Sequence, residues 1–356
     1  MFLHDTNLIN VFRDYGIMLP FAPDRSKRIM EEISKLPNFK FPIFDVEGAL
    51  NFLGLERGLI TPSDVELSHK KEYVDALFSG GESLVNHLLD AYELLDENGN
   101  ANRYEIELAT KPIEKMFQIL LAQVEGTYIA SLLSLKSDLG FSFYTNAGNH
   151  HARYDRGAGF CVLNDIIIAS RKLQVQHLAK IIWIIDVDVH KGCGTAELVK
   201  FIRDGINPHG FENFCNIITL SIHMAKGWPL DSKTLSKACC GRAPLIESDI
   251  EIPLDEGCED QYIALLKEGL ESFVKVSGGC KADFAIVVDG ADPYEHDGLE
   301  SSSLIKLSLE QCLERDLLIY NFLQKNNVCS AWLMAGGYGE RAYEVHANFL
   351  GAIGRK

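Results

Sequence analysis

Basic residues are in short supply. The 356-residue chain carries 34 Lys and Arg against 50 Asp and Glu, a formal charge of −16. A general nucleic-acid binder needs a basic face, so that class is excluded, whereas a cationic or a neutral partner fits equally well. The nine cysteines are odd in number and scattered, with Cys239-Cys240 the single close pair. That usage suits reduced thiols and not a disulfide framework. No apolar run approaches the roughly 20 residues that cross a bilayer, and no membrane association is expected. The first residues include Asp5 and Asp14 and lack the apolar stretch of a signal peptide, so the expected location is cytoplasmic. No Pro/Gly/Ser-rich linker, repeat or low-complexity segment divides the chain, which is read as one domain over residues 1–356. A hydrophobic content of 47% and a charged content of 24% supply a large core within a soluble surface.

What is present is an alternation of short apolar segments with helical patterns. Strands are expected at Phe141–Thr145, Lys180–His190, Asn216–His223, Asp249–Pro253, Phe284–Gly290 and Cys329–Ala335. Helices are expected at Ser26–Leu36, Glu82–Leu95, Lys111–Lys136, Asn164–Leu173, Asp260–Val276, Ser303–Gln324 and Glu340–Leu350. Several strands are apolar on both faces, as in a parallel sheet covered by helices. The alternation therefore predicts an α/β fold, a three-layer α/β/α sandwich around a mostly parallel sheet. The N-terminal third shows the weakest pattern.

Polar chemistry collects at the ends of these strands, where open α/β sheets place their ligands. The run Asp186-Val187-Asp188-Val189-His190 follows the apolar Ile181–Ile185. Period-two alternation along a strand would send Asp186, Asp188 and His190 to one side. Buried charges are costly unless paired or bound to a metal. A second apolar strand ends at Gly290-Ala291-Asp292. One acid-tipped strand is as readily a helix cap or a turn; two of them, with His190, favour a metal held by Asp188, His190 and Asp292. Two carboxylates and an imidazole suit zinc, three protein ligands leaving a position open for water. Adjacent His150-His151 are candidate general base and electrostatic partner. Tyr338, in the turn Gly336-Gly337-Tyr338-Gly339, is a candidate donor to a developing oxyanion.

His150-His151, Gly159-Phe160-Cys161, Asp186-x-Asp188-x-His190, Ser221-Ile222-His223, Gly290-Ala291-Asp292 and Gly336-Gly337-Tyr338 occur in one order along the chain. In that order and spacing the chain resembles the zinc-dependent histone deacetylase superfamily. Acetylpolyamine amidohydrolases and acetoin-utilisation proteins belong to that superfamily, which has the arginase–deacetylase fold. The segment from His150 to Asp165 looks most like the class IV enzymes and their bacterial relatives. The resemblance implies Asp188, His190 and Asp292 as ligands of one catalytic Zn2+, His150 and His151 as the tandem histidines, and Tyr338 as the phenol that polarises the carbonyl. It implies that Asp186 supports the first histidine and, with Ser221 and Ile222, binds a structural K+. Gly159, Phe160, Trp228, Gly336 and Gly337 would line the substrate tunnel, Arg25 would border an internal acetate pocket, and Asp297 would be a structural acid. The implied activity is hydrolysis of the linear amide of an acylated lysine, in a peptide or protein, or of a similar small N-acyl amine. The acyl group would be acetyl or longer.

Two positions depart from the family pattern. Cys193 stands where an aspartate normally orients the second histidine, and Lys191 replaces a frequent histidine. An imidazole without a carboxylate partner is less basic. The competing readings are an acetylpolyamine or small-metabolite deacetylase, for which Asp96 or Glu97 could supply acids at the tunnel mouth, and a two-manganese ureohydrolase. A third is a non-catalytic acyl-lysine-binding homologue, for which Cys193 is the best argument. Oligomeric state is not legible.

Overall fold

The computed structural model describes residues 1–5, 11–206, 216–231 and 246–355. Cys239 and Cys240 lie outside the described residues. Eight strands form one sheet: β1 (Phe2–His4), β2 (Ile43–Asp45), β3 (Phe141–Tyr144), β4 (Ile182–Asp186), β5 (Ile217–Met224), β6 (Ile250–Leu254), β7 (Phe284–Asp289) and β8 (Cys329–Met334). Their order is β2-β1-β3-β8-β7-β4-β5-β6, and every pairing is parallel.

The doubly apolar strands have the packing that their composition implies. Trp183, Ile185, Ala285, Val287 and Trp332 face one layer of helices, among them Arg25–Ser34, Tyr262–Val276, Leu309–Asn326 and Tyr343–Gly354. Their sequence neighbours Ile182, Ile184, Ile286, Val288, Ala331 and Leu333 face the other, which contains Met116–Lys136, Asp165–Val175 and Cys193–Arg203. Successive residues thus feed opposite cores, the period-two rule with both sides dry. A third cluster, built from residues 15–17, 65–94 and 113–124 with Val162, Leu163 and Ile168, covers the N-terminal side.

The six expected strands are present, and so are the seven expected helices with shifted ends. Helix Leu309–Asn326 begins where Ser308 and Gln311 form a reciprocal capping box, six residues after the expected start. The strands β1 and β2 were not expected. Each is three residues long, too short for a periodicity signal, and both stand at one edge of the sheet. Helix Met116–Lys136, with the turn before it, is long and apolar enough to cross a membrane by composition alone, yet 67% of its apolar window is buried inside the fold. Counting unbroken apolar runs misses it because Ser, Thr, Gln and Glu interrupt the stretch.

One expectation is corrected. The strand read as Lys180–His190 ends at Asp186, and Asp188 and His190 lie in the loop beyond it. Strand alternation therefore does not bring these side chains together. The loop does, through hydrogen bonds of its own backbone to the acids that it carries.

Candidate active site

Loops after β3, β4, β7 and β8 meet at the carboxyl edge of the sheet. Asp188, His190 and Asp292 offer three ligand atoms that all lie within 4.8 Å of one another, and all three residues are buried. Nδ1 of His190 lies 3.2 Å from Asp188 Oδ1 and 3.0 Å from Asp292 Oδ2. Backbone donors aim the carboxylates: Gly336 N–H to Asp188 Oδ2 at 2.9 Å, His190 N–H to Asp188 Oδ1 at 3.0 Å, and Val189 N–H to Asp292 Oδ1 at 3.0 Å.

Two glycines make the approach possible. A Cβ on Gly336 would fall 2.3 Å from Asp188 Oδ2 and 2.4 Å from Asp292 Oδ2, and a Cβ on Gly290 would fall 2.7 Å from an oxygen of each acid. Oxygen and imidazole donors converging on one point, three in number and without side-chain bulk between them, fit a small divalent cation such as Zn2+. Burial and the charge of Asp188 push Asp292 up to about 7, while the two carboxylates hold His190 at about 10 against the effect of burial.

The tandem histidines differ from each other. His150 Nδ1 meets Asp186 Oδ2 at 2.8 Å. Burial would lower its pKa, but Asp186 and Asp188 lift it to about 9. Among the described residues His151 meets no carboxylate at Nδ1; the thiol of Cys193 stands 3.6 Å away. Burial and the charges of His150 and His190 put its pKa well below the ordinary histidine value. The two adjacent imidazoles are thus shifted in opposite directions.

Their loop is clamped from both sides. Asp165, buried at the start of helix Asp165–Val175, accepts hydrogen bonds from Gly148 N, Asn149 N, Asn149 Nδ2 and Thr127 Oγ1 at 2.6–3.1 Å. On the far side Thr195 N donates to the His150 carbonyl at 3.0 Å. His69 spans the Arg153 carbonyl (2.8 Å) and the Asn164 N–H (3.0 Å), which makes Nδ1 its protonated nitrogen. Neither Asp165 nor His69 stood out in the sequence, because an acid in a helix's first turn reads as an ordinary cap.

A cavity of about 150 Å³ opens onto His150, His151, Asp188, His190 and Tyr338. Gly159, Phe160 and Gly336 line it. Trp228 and Gly337 do not line it. The Trp228 ring instead packs edge-on against His151 and His190, with centroids 4.5 and 5.4 Å apart. The Gly337 carbonyl accepts Arg25 Nη1 at 2.8 Å. Arg25 itself borders the cavity. The N-terminal segment adds residues that sequence patterns did not reveal: Phe21 stacks on Tyr338 with centroids 4.8 Å apart, Phe12 on Phe21 at 5.8 Å, and Tyr92 on Phe160 at 6.4 Å. Asp297 accepts the Tyr338 N–H at 2.6 Å and so fixes the turn that presents the phenol. Burial and the nearby charges of Asp292 and Asp188 raise the Tyr338 pKa well above the usual phenol value. Register places Asp186 on β4 beside Ser221 on β5, and Ser221 Oγ lies 3.0 Å from His223 Nδ1.

A family model described as the histone deacetylase domain matches residues 19–350. An uncharacterized protein of Picosynechococcus sp. is 26% identical over 93% of this chain and 95% of its own length. Histone deacetylase 2 of Arabidopsis thaliana is 24% identical over 68% of this chain, which spans 55% of that protein. The crystal structure of the HDA15 HD domain superposes with a TM-score of 0.64 at 15% identity, covering 99% of this chain and 90% of that one; this likeness concerns the fold.

Gly336→Ala should push the two carboxylates apart. Calorimetric titration of chelator-stripped protein with Zn2+ is expected to show affinity weakened at least about tenfold, in the range of disrupted metal surroundings; unchanged binding would contradict the packing argument.

Proposed function

Because the chain belongs to the histone deacetylase family, we propose that it is a zinc-dependent amidohydrolase. Its substrate would be an acylated lysine or a similar N-acyl amine, and its product the free amine. The whole chain would act as one catalytic domain. The observation that carries this reading is the convergence of Asp188 and His190, the tandem histidines and Tyr338 on one cavity, with Asp292 closing the cluster behind.

Asp188, His190 and Asp292 would hold the ion, which when bound supplies Lewis acidity to the acyl carbonyl and to water. His151, its basicity lowered by burial and by the charges of His150 and His190, is the group able to take a proton from the attacking water and hand it to the departing amine. His150, kept protonated by Asp186, contributes fixed positive charge beside the reacting carbonyl. Tyr338, kept protonated by burial and by neighbouring acids, donates a hydrogen bond to the oxyanion. Asp165, through Gly148 and Asn149, keeps the histidine loop in register with the other groups. Asp186 and Ser221, with the Ile222 carbonyl, are proposed as a K+ site where β4 ends beside the middle of β5.

The cavity wall disfavours an acetylpolyamine. Among the described residues its charged lining, apart from Asp188 and the histidines, is Arg13 and Arg25, with no other carboxylate. Asp96 is exposed, with its carboxylate engaged by Asn98 N and Asn100 N at 2.8 Å, and neither it nor Glu97 lines the cavity. A ureohydrolase would need acids for a second ion, and among the described residues Asp188, His190 and Asp292 form the one group of this kind.

Three measurements test the proposal. Turnover of a fluorogenic acetyl-lysine peptide should disappear on chelation and return with Zn2+; chelator-insensitive turnover would exclude the metal. Tyr338→Phe should retain bound zinc and lose about 10²–10³ in kcat, the usual cost of one oxyanion donor. Cys193→Asp should give His151 an anionic partner and raise its pKa, so the acid limb of kcat/KM moves to higher pH; an unmoved limb would remove Cys193 as the cause of the low basicity.

A further inference from the structure

We propose that Arg315 is a positioning residue for the metal centre, setting the separation of the two loops that bring Asp188 and Asp292 together. The inference rests on the metal-site reading above. Arg315 belongs to helix Leu309–Asn326 and is fully buried at 0% exposure. Its Nη1 donates to the Gly290 carbonyl at 2.8 Å and to the Val187 carbonyl at 3.3 Å. Its Nη2 donates to Asp289 Oδ1 at 2.8 Å and its Nε to Asp316 Oδ1 at 2.7 Å. Val187 immediately precedes Asp188, and Gly290 stands two residues before Asp292. One planar side chain therefore grips the backbone just upstream of both acids.

The grip comes where the sheet stops helping. The β4–β7 register ends at Asp186 opposite Val288, and Val187 N–H to the Val288 carbonyl, at 3.1 Å, is a last bond beyond it. From there the two loops are crossed by Val189 N–H on Asp292 Oδ1 and by the Arg315 fork. Asp289, at the end of β7, anchors the guanidinium, and its second oxygen lies 3.2 Å from His346 Nδ1 on helix Tyr343–Gly354.

Stability does not account for the arrangement, since apolar side chains of similar volume often replace buried ionic networks without loss. What an apolar residue cannot do is donate to two carbonyls at once, and what lysine cannot do is donate in a rigid plane. Groups that orient metal ligands from behind typically change metal affinity by 10- to 100-fold.

The test compares wild type, Arg315→Met and Arg315→Lys by calorimetric titration of chelator-stripped protein with Zn2+, alongside urea unfolding of the metal-free forms. The expected result is a Zn2+ Kd weakened about 10- to 100-fold in Arg315→Met, with Arg315→Lys in between. Variants that lose urea resistance but bind Zn2+ within about twofold of wild type would overturn the proposal, because a purely structural role predicts that outcome. If Arg315→Met does not fold, Arg315→Lys decides alone by the same twofold criterion. A wild-type protein that binds no Zn2+ would overturn the metal reading itself, and is distinguishable because it fails before any substitution is made.

Discussion

Two carboxylates buried against one imidazole set the terms for the rest of this molecule. Asp188 and Asp292 are both at most 1% exposed, and like charges in such surroundings repel strongly unless a cation or proton lies between them. The loops are organised to sustain the confrontation. Backbone N–H groups from residues 189, 190 and 336 point at the acids, and Gly290 and Gly336 leave out the side chains that would separate them. The parallel sheet makes this practicable, because its carboxyl edge delivers four loops to one place and its two dry faces keep the strands in register.

Around that centre, function depends on unequal surroundings for similar groups. His150 and His151 are adjacent in sequence, with ring centroids 3.9 Å apart, yet one faces Asp186 and the other a thiol. Their proton affinities are driven in opposite directions, the pattern on which the proposed division between fixed charge and proton transfer rests. Cys193 is thus consistent with a working site and need not mark decay. Tyr338 has Phe21 against its ring and Asp297 holding its backbone, and burial raises the pKa of its phenol.

Much of this was legible in advance. The apolar segments that became β3 to β8 carry their parallel-sheet character in composition alone. The clusters at 150–151, 186–190, 290–292 and 336–338 carry chemistry that burial would not otherwise tolerate. Less legible was whatever depends on contact between distant segments with ordinary local patterns. Asp165 reads as a helix cap and holds the histidine loop; Arg315 reads as a polar residue on a helix face and sits at 0% exposure against the loops that carry Asp188 and Asp292. Phe12, Phe21 and Tyr92 read as core aromatics and form one side of the cavity. Trp228, expected in the tunnel wall, packs edge-on against His151 and His190.

The sequence by itself determined the fold class, the donor set of the candidate metal centre and the order of its motifs. It could do so because hydrophobic periodicity and the cost of burying charge are properties of residue type and spacing. Tertiary structure alone decided that Asp188 and His190 leave the strand before they meet Asp292 and that an N-terminal segment walls the cavity. Those outcomes turn on where loops of different parentage come to rest, within a few tenths of an ångström, and no local pattern encodes such distances.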